Sequence, residues 1–279
     1  MFYTYVRDGV TVYASSLMDH VPHGFSTRTG GVSEGDALGA SNMGFGKEPD
    51  ATVRENRRRF AAAAVLPSLG SDVFVSAAEQ IHSDVIFRVT KQDADAAFRG
   101  DGFYTNESGV TVAVKTADCV PVLLATKDGH CVAAVHAGWR GTASGIASLA
   151  VSELCGFGYD PTDIVAATGP AVQVDEYKVG DNFEELLFGL MSSSRSAPVR
   201  ENAKMLSKAR LVIYADGIHC NLPALNRDIL VASGVPSENI DVCPVSTYEN
   251  PQLFYSHRRQ GADRGVMASA IATRDSTVR

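Results

Sequence analysis

Three features of this 279-residue chain predict an α+β fold, a single domain over residues 1–279 with mixed, largely antiparallel sheets flanked by helices. Short apolar runs follow one another across brief turns, most clearly in VTVAVKTADCVPVLLATKDGHCVAAVH from Val110 to His136. Such spacing suits adjacent antiparallel pairing better than a regular alternation of strand and helix. Helical periods fall between and after these runs, not at every crossover. No internal repeat and no linker rich in Pro, Gly and Ser divides the chain.

Strands are expected first at Thr11–Ala14 and Gly24–Arg28, short runs punctuated by turn residues. A helix follows from Asp50 through the alanines Ala61–Ala64. Its basic stretch RENRRRF, Arg54–Phe60, reads as the solvated face of a helix capped by Asp50. Apolar runs then predict strands at Val73–Ser76, Val85–Thr90, Val110–Lys115, Val120–Ala125 and Cys131–His136. After a cluster of glycines a helix is expected over Ser144–Leu154, then a strand at Ile164–Ala167 and a helix at Asn182–Met191. The polar stretch MSSSRSAPVRENAK, Met191–Lys204, reads as a surface loop. A strand at Leu211–Ala215, a helix at Pro223–Ser233 and strands at Ile240–Val242 and Val266–Ala272 complete the order.

Composition narrows the function. Hydrophobic residues at 45% against 20% charged are enough for a full core. The net charge of −7 repels phosphate polymers and anionic membranes, so neither nucleic acid nor a membrane surface is an expected partner. No aromatic residues interleave the one basic run, which removes the main signature of single-strand binding. The N-terminus MFYTYVRDGVTVYASS lacks a basic segment followed by an apolar one, and no later run approaches a membrane span, so a cytoplasmic location is expected. Five cysteines, never spaced as CxxC, argue against a disulfide framework or a zinc ribbon and read mostly as buried thiols.

Three places put a metal-competent side chain beside a strand end. EQIHSDV carries Gln80 and His82, KTADCVPV carries Asp118 and Cys119, and AAVHAGWRGTASG carries His136. Each alone reads more readily as a satisfied polar residue, a core thiol or a tight turn than as a ligand. Together they converge, because Cys119 and His136 flank one strand–turn–strand unit and His82 completes three ligands. Nitrogen and sulfur donors suit Zn²⁺ or copper, not Mg²⁺ or Ca²⁺. A blue-copper site would add an axial methionine, and none lies near these motifs in the sequence, so zinc is favoured. Three ligands leave a fourth position open, as in catalytic zinc. Gly138 and Gly141 allow close backbone approach, and the helix expected near Ser144 offers N–H groups to an anion. Arg28 and Arg140 can hold phosphate or carboxylate, or serve as surface ion-pair partners.

The segments HGFSTRTGGVS, SNMGFG, ENRRRF, EQIHSD, TADCVPVLL, AAVHAGWRGTASGI, ATGPAV and FYSHRR, in this order from His23 to Ala272, resemble the laccase-domain family, also called YfiH-like or multicopper polyphenol oxidase proteins. The resemblance implies one mixed domain with a metal, usually zinc, on His82, Cys119 and His136. It implies phosphorolysis of adenosine, inosine, guanosine and methylthioadenosine, and deamination of adenosine, with purine nucleosides and phosphate as partners. Arg28, Asn42, Gln80, Asp118 and Arg140 would lie near that site as its catalytic set. The family's older name implies copper oxidation of phenols, and some members are described as peptidoglycan editing factors. The chain departs from the family pattern at Lys178, at Cys220 and Asn221, and in DRGVMA, Asp263–Ala268.

Zinc deaminases of nucleobases pair the metal with a glutamate in an HxE signature, which is absent here. Asp118 is therefore expected either to carry the proton or to orient the metal's surroundings. A different class is also open, in which Cys119 activated by His136 or His82 is the nucleophile of a cysteine hydrolase.

Overall fold

The computed structural model describes residues 1–34, 40–65, 73–94 and 96–274. Two six-stranded sheets lie face to face. The first has the order β1 (Phe2–Arg7), β2 (Val10–Ser15), β3 (His23–Ser26), β14 (Met267–Ala272), β7 (Val110–Thr116) and β4 (Val73–Ser76). The second runs β13 (Ile240–Val242), β10 (Ile164–Thr168), β8 (Val120–Thr126), β9 (Val132–Ala137), β6 (Gly102–Thr105) and β5 (Ile86–Arg88). Among the described residues only β4–β7, β5–β6 and β10–β13 pair in parallel, so the sheets are mixed and largely antiparallel. A separate ribbon pairs β11 (Leu211–Tyr214) with β12 (Gly217–Cys220).

The central strands are apolar on both faces because both faces are covered. In β7, Val110, Val112 and Val114 point between the sheets with Leu123, Ala134 and Ile271, while Ala113 meets α1 (Asp50–Ala64) on the outside through Phe60 and Ala61. Leu123 and Leu124 are neighbours, both fully buried, and enter different cores. Each such side chain contributes about 1.5–3 kcal/mol. The outer face of the second sheet packs on α3 (Ile146–Cys155), α4 (Phe183–Ser192) and α7 (Leu222–Ala232) through Ile146, Leu154, Leu187 and Leu225.

The α+β class stands, with corrections in detail. Strands β7 and β8, expected to pair as neighbours, belong to different sheets, and only β8 and β9 form the hairpin. The Ala117–Cys119 corner between them, with Asp118 at φ 87°, carries the chain from one sheet to the other. The helix expected from Ser144 is two helices, α2 (Trp139–Ser144) and α3, broken where Gly145 takes φ 87°. The second of them starts at Ile146, two residues after Ser144. A Cβ on Gly145 would also come within 2.9 Å of the Ser196 Cβ.

Asp50 does not cap α1 with its side chain; it is the helix's first residue, after Pro49. Nor is the basic stretch all solvated. Arg58 and Arg59 pair with Glu55, but Arg57 turns inward to donate to the Met43 carbonyl and Ser76 Oγ, with Phe45 under its guanidinium at 4.4 Å. Met191–Lys204 is no simple loop. The Ser196 hydroxyl caps α5 (Ala197–Glu201), Val199 is buried, and α6 (Ala203–Ala209) follows. Strands β1, β6 and β12, absent from the sequence expectation, each gain their register from a neighbour. Among the described residues no helix is long and apolar enough to cross a membrane.

Candidate active site

His136 is the penultimate residue of β9 and pairs across the hairpin with Pro121, and Cys119 stands just before β8. The two side chains thus share one rim by antiparallel register. His82 arrives from a bend between β4 and β5 in which its own backbone is left-handed, at φ 57°. One ligand atom from each of the three residues lies within 4.8 Å of the other two. The imidazoles meet edge to face, with ring centroids 4.8 Å apart. Gly138 completes the cradle: a Cβ there would stand 3.0 Å from His82 Cδ2 and 3.2 Å from Cys119 Sγ. Two imidazoles and a thiol at this spacing fit a divalent ion of the zinc or copper type.

A fully buried carboxylate builds the cluster. Asp101 Oδ1 lies 2.8 Å from His136 Nδ1 and accepts the His82 backbone N–H at 3.0 Å. Its Oδ2 accepts the N–H groups of Ile81 and Ser83 and the Ser83 hydroxyl. Asp101 therefore folds the strained His82 bend and leaves His136 Nε2 for the cluster. Burial raises its pKa, but the His136 and Ser83 hydrogen bonds prevail and hold it down to about 2. Burial likewise pushes the Cys119 thiol up, and the charge and hydrogen bonds of His136, with a further bond from His82, bring it down to about 6. His136 is raised to about 9: burial opposes its charge, but Cys119 and Asp101 outweigh burial. Each of the two thus favours the charged form of the other.

The cluster opens onto two chambers. The larger, about 550 Å³, has His82 and Cys119 at one end, Trp139 and Tyr177 as aromatic walls, and Arg140, Arg258 and Arg264 as cations. Arg140 lies over Trp139 at 4.4 Å and Arg258 over Tyr177 at 5.3 Å. The smaller, about 240 Å³, touches all three cluster residues and reaches Gln80 and Lys115.

The other residues expected near the site are distributed unevenly. Asp118 and Arg140 line the larger chamber. Asp118 Oδ1 accepts from Thr247, and its Oδ2 accepts from the Ser256 hydroxyl and the Arg258 N–H. It thereby ties the Ala117–Cys119 corner to α8 (His257–Gln260), whose first two residues line the same chamber. Gln80 lines the smaller chamber while its amide bonds the Lys115 N–H and C=O, completing the edge of β7 like a strand partner. Arg28 and Asn42 line neither. Arg28 donates to the Pro251 carbonyl and lies over the Tyr255 ring at 4.7 Å. Asn42 is buried and joins the Gly44 turn, Glu48 and the Val266 N–H.

Sequence reasoning missed Asp101, Lys115 and Arg264. The run RGDGF around Asp101 reads only as a turn, and nothing local connects it to an imidazole 35 residues later. Of the positions departing from the family pattern, Asn221 has a structural use, since its side chain caps α7 by accepting from Ala224. Lys178 pairs along β12 with His219.

A fold of two packed sheets with this cluster at a strand-end corner defines a class. The model of the family described as multi-copper polyphenol oxidoreductase laccase matches residues 22–274, and the chain belongs to that family. Purine nucleoside phosphorylase YlmD of Bacillus subtilis is 34% identical over 263 residues, 91% of this chain and 88% of that protein. Adenosine deaminase RL5, from an unknown prokaryotic organism, is 36% identical over 180 residues, 64% of each chain. The crystal structure of YlmD from Geobacillus stearothermophilus matches with a TM-score of 0.81 at 32% identity, over 98% of this chain and 99% of that one.

Proposed function

We propose that this chain is a metal-dependent purine nucleoside enzyme that phosphorolyses adenosine, inosine, guanosine and methylthioadenosine and deaminates adenosine. The observation that carries this is the His82, Cys119 and His136 cluster at the end of a cationic, aromatic-walled chamber. The names of the relatives at 34–36% identity support the same chemistry. Zn²⁺ is the assigned metal, since no methionine lines either chamber to complete a blue-copper set. A divalent ion held by these residues supplies Lewis acidity that polarises water or a substrate oxygen.

The chain's own residues do the rest. Trp139 and Tyr177 offer flat apolar faces to a purine, and Arg140 and Arg258 hold polar or anionic groups by paired hydrogen bonds. In phosphorolysis a phosphate oxygen bonds to C1′ of the ribose while the C1′–N9 bond breaks, its electron pair going to the purine. The purine then takes a proton from solvent or from dihydrogen phosphate, leaving ribose 1-phosphate. In deamination, water adds at C6 of adenine and ammonia departs, giving inosine. Asp118 is assigned an orienting role, because both its oxygens already accept hydrogen bonds, Oδ1 from Thr247 and Oδ2 from the segment that carries His257 and Arg258. Arg28, Asn42 and Gln80 are assigned the support of the walls. Incubation of metal-loaded protein with adenosine will yield adenine and ribose 1-phosphate only when phosphate is present, and inosine without it. Neither product under either condition would end the assignment.

One observation favours a second reading. Cys119 held against His136, which lowers the thiol and is itself raised by it, is the arrangement of a nucleophilic thiolate, which would make the chain a cysteine hydrolase acting on an amide or ester. Iodoacetamide separates the two. A thiolate engaged with metal will be alkylated only after chelation, whereas a free nucleophile will be alkylated at the same rate with or without chelator.

A further inference from the structure

The two chambers differ in a way that divides the reactants. The smaller contains two cations, Lys115 and Arg264, and among the described residues no aspartate or glutamate lines it. Among the described residues neither cation has a carboxylate within ion-pair distance. The Lys115 ammonium has three N–H donors, and one bond is seen, to the Ala77 carbonyl at 2.9 Å. Arg264 is held from behind, its carbonyl accepting from Lys47, and its Nη1 makes a long 3.4 Å contact with Gly261. Its Nε is buried with no hydrogen-bond partner among the described residues. An orphaned buried donor of a charged group costs free energy that a bound acceptor would recover.

Burial and the nearby Arg57 push the Lys115 ammonium down to about 8, the expected effect of holding a cation with no counter-charge. Size points the same way. A volume of about 240 Å³ falls below the 300–1,000 Å³ typical of organic-ligand pockets, whereas about 550 Å³ falls within it. Of the described aromatic rings other than the histidines, Trp139 and Tyr177 line the larger chamber and Phe45 alone the smaller.

We propose that the smaller chamber is an oxyanion site in which inorganic phosphate sits between Lys115 and Arg264 beside the His82, Cys119 and His136 cluster, while the purine occupies the larger chamber. The phosphate's identity rests on the nucleoside reading above; the anion site rests on the cations alone. Arg264 lines both chambers, as do His82, Cys119 and Ala117, so the attacked carbon would lie where the chambers meet. Phosphate would then reach C1′ from the side opposite the purine, the order that in-line displacement requires.

The test is calorimetric titration of the metal-loaded full chain with inorganic phosphate, alongside steady-state kinetics with inosine. Lys115→Gln and Arg264→Gln will each weaken phosphate binding by about tenfold, the usual loss for one charge-assisted hydrogen bond. In Lys115→Gln the KM for phosphate will rise by the same factor while the KM for inosine moves far less; in Arg264→Gln, whose side chain lines both chambers, both will rise. Lys115→Arg, which keeps the charge, will recover most of the phosphate affinity and guards against a folding defect in the glutamine variant. Unchanged phosphate affinity in both folded glutamine variants, with inosine still cleaved, overturns the anion site and leaves the nucleoside reading standing. Phosphate binding that both variants weaken, with no nucleoside cleaved, upholds the anion site and removes the nucleoside reading.

Discussion

Cys119→Ala will fold, bind no stoichiometric metal and lose at least about a thousandfold in kcat/KM, equivalent to about 4 kcal/mol of transition-state stabilisation. The residue stands at the corner before β8, outside the hydrophobic clusters, so removing its sulfur leaves the packing between the sheets intact. Two imidazoles alone are a poor set for a catalytic ion that needs three protein ligands. His136→Ala will lose metal and turnover equally but will also cost stability, because Asp101 then faces an empty space instead of an imidazole. Metal-to-protein ratios by elemental analysis, circular dichroism and adenosine phosphorolysis will separate these effects. A metal-free Cys119→Ala protein with normal turnover would refute the assignment of the cluster as the reaction centre.

Asp101→Ala will be the most damaging single change to the site's framework. It strips a fully buried carboxylate from His136, from three backbone N–H groups and from the Ser83 hydroxyl. Leaving such partners unpaired typically costs about 3–5 kcal/mol, enough to unfold a marginal domain. Asp101→Asn keeps the shape but brings an NH2 group against donors and weakens the hold on the imidazole. Its metal affinity will fall by about 10–100-fold, the usual effect of losing the carboxylate behind a ligating histidine. Competition with a chromophoric chelator reads the affinity, and denaturant titration reads the stability. Wild-type metal affinity in a folded Asp101→Asn protein would show that the carboxylate only builds the bend.

Local patterns carried a good part of this protein. The apolar runs at Val110–Lys115, Val120–Ala125 and Cys131–His136 were recognisable because strands covered on both faces are apolar throughout. The hairpin flanked by Cys119 and His136 followed from its short turn. Strand β1 escaped notice because its alternation is weak and mostly exposed, so that pairing with β2, more than burial, holds it in place. Gly145 looked like one glycine among several. Only the close approach of Ser194 and Ser196 shows why it ends a helix.

The sequence by itself determined the α+β class, the main strands and the three metal-competent side chains, since each is a property of residue type and short-range period. Only the tertiary structure decided which sheet each strand joins and what stands behind the site. Strand β6 pairs with β9 so that Gly102 faces Val135, and this register sets Asp101 against His136. Likewise the pairing of β14 with β7 sets Met267 opposite Thr116, bringing Arg264 toward the chamber of Lys115. Periodicity tells a chain which faces to bury, but the partner across a sheet is chosen by the packing of the whole core, and buried polar contacts follow that choice.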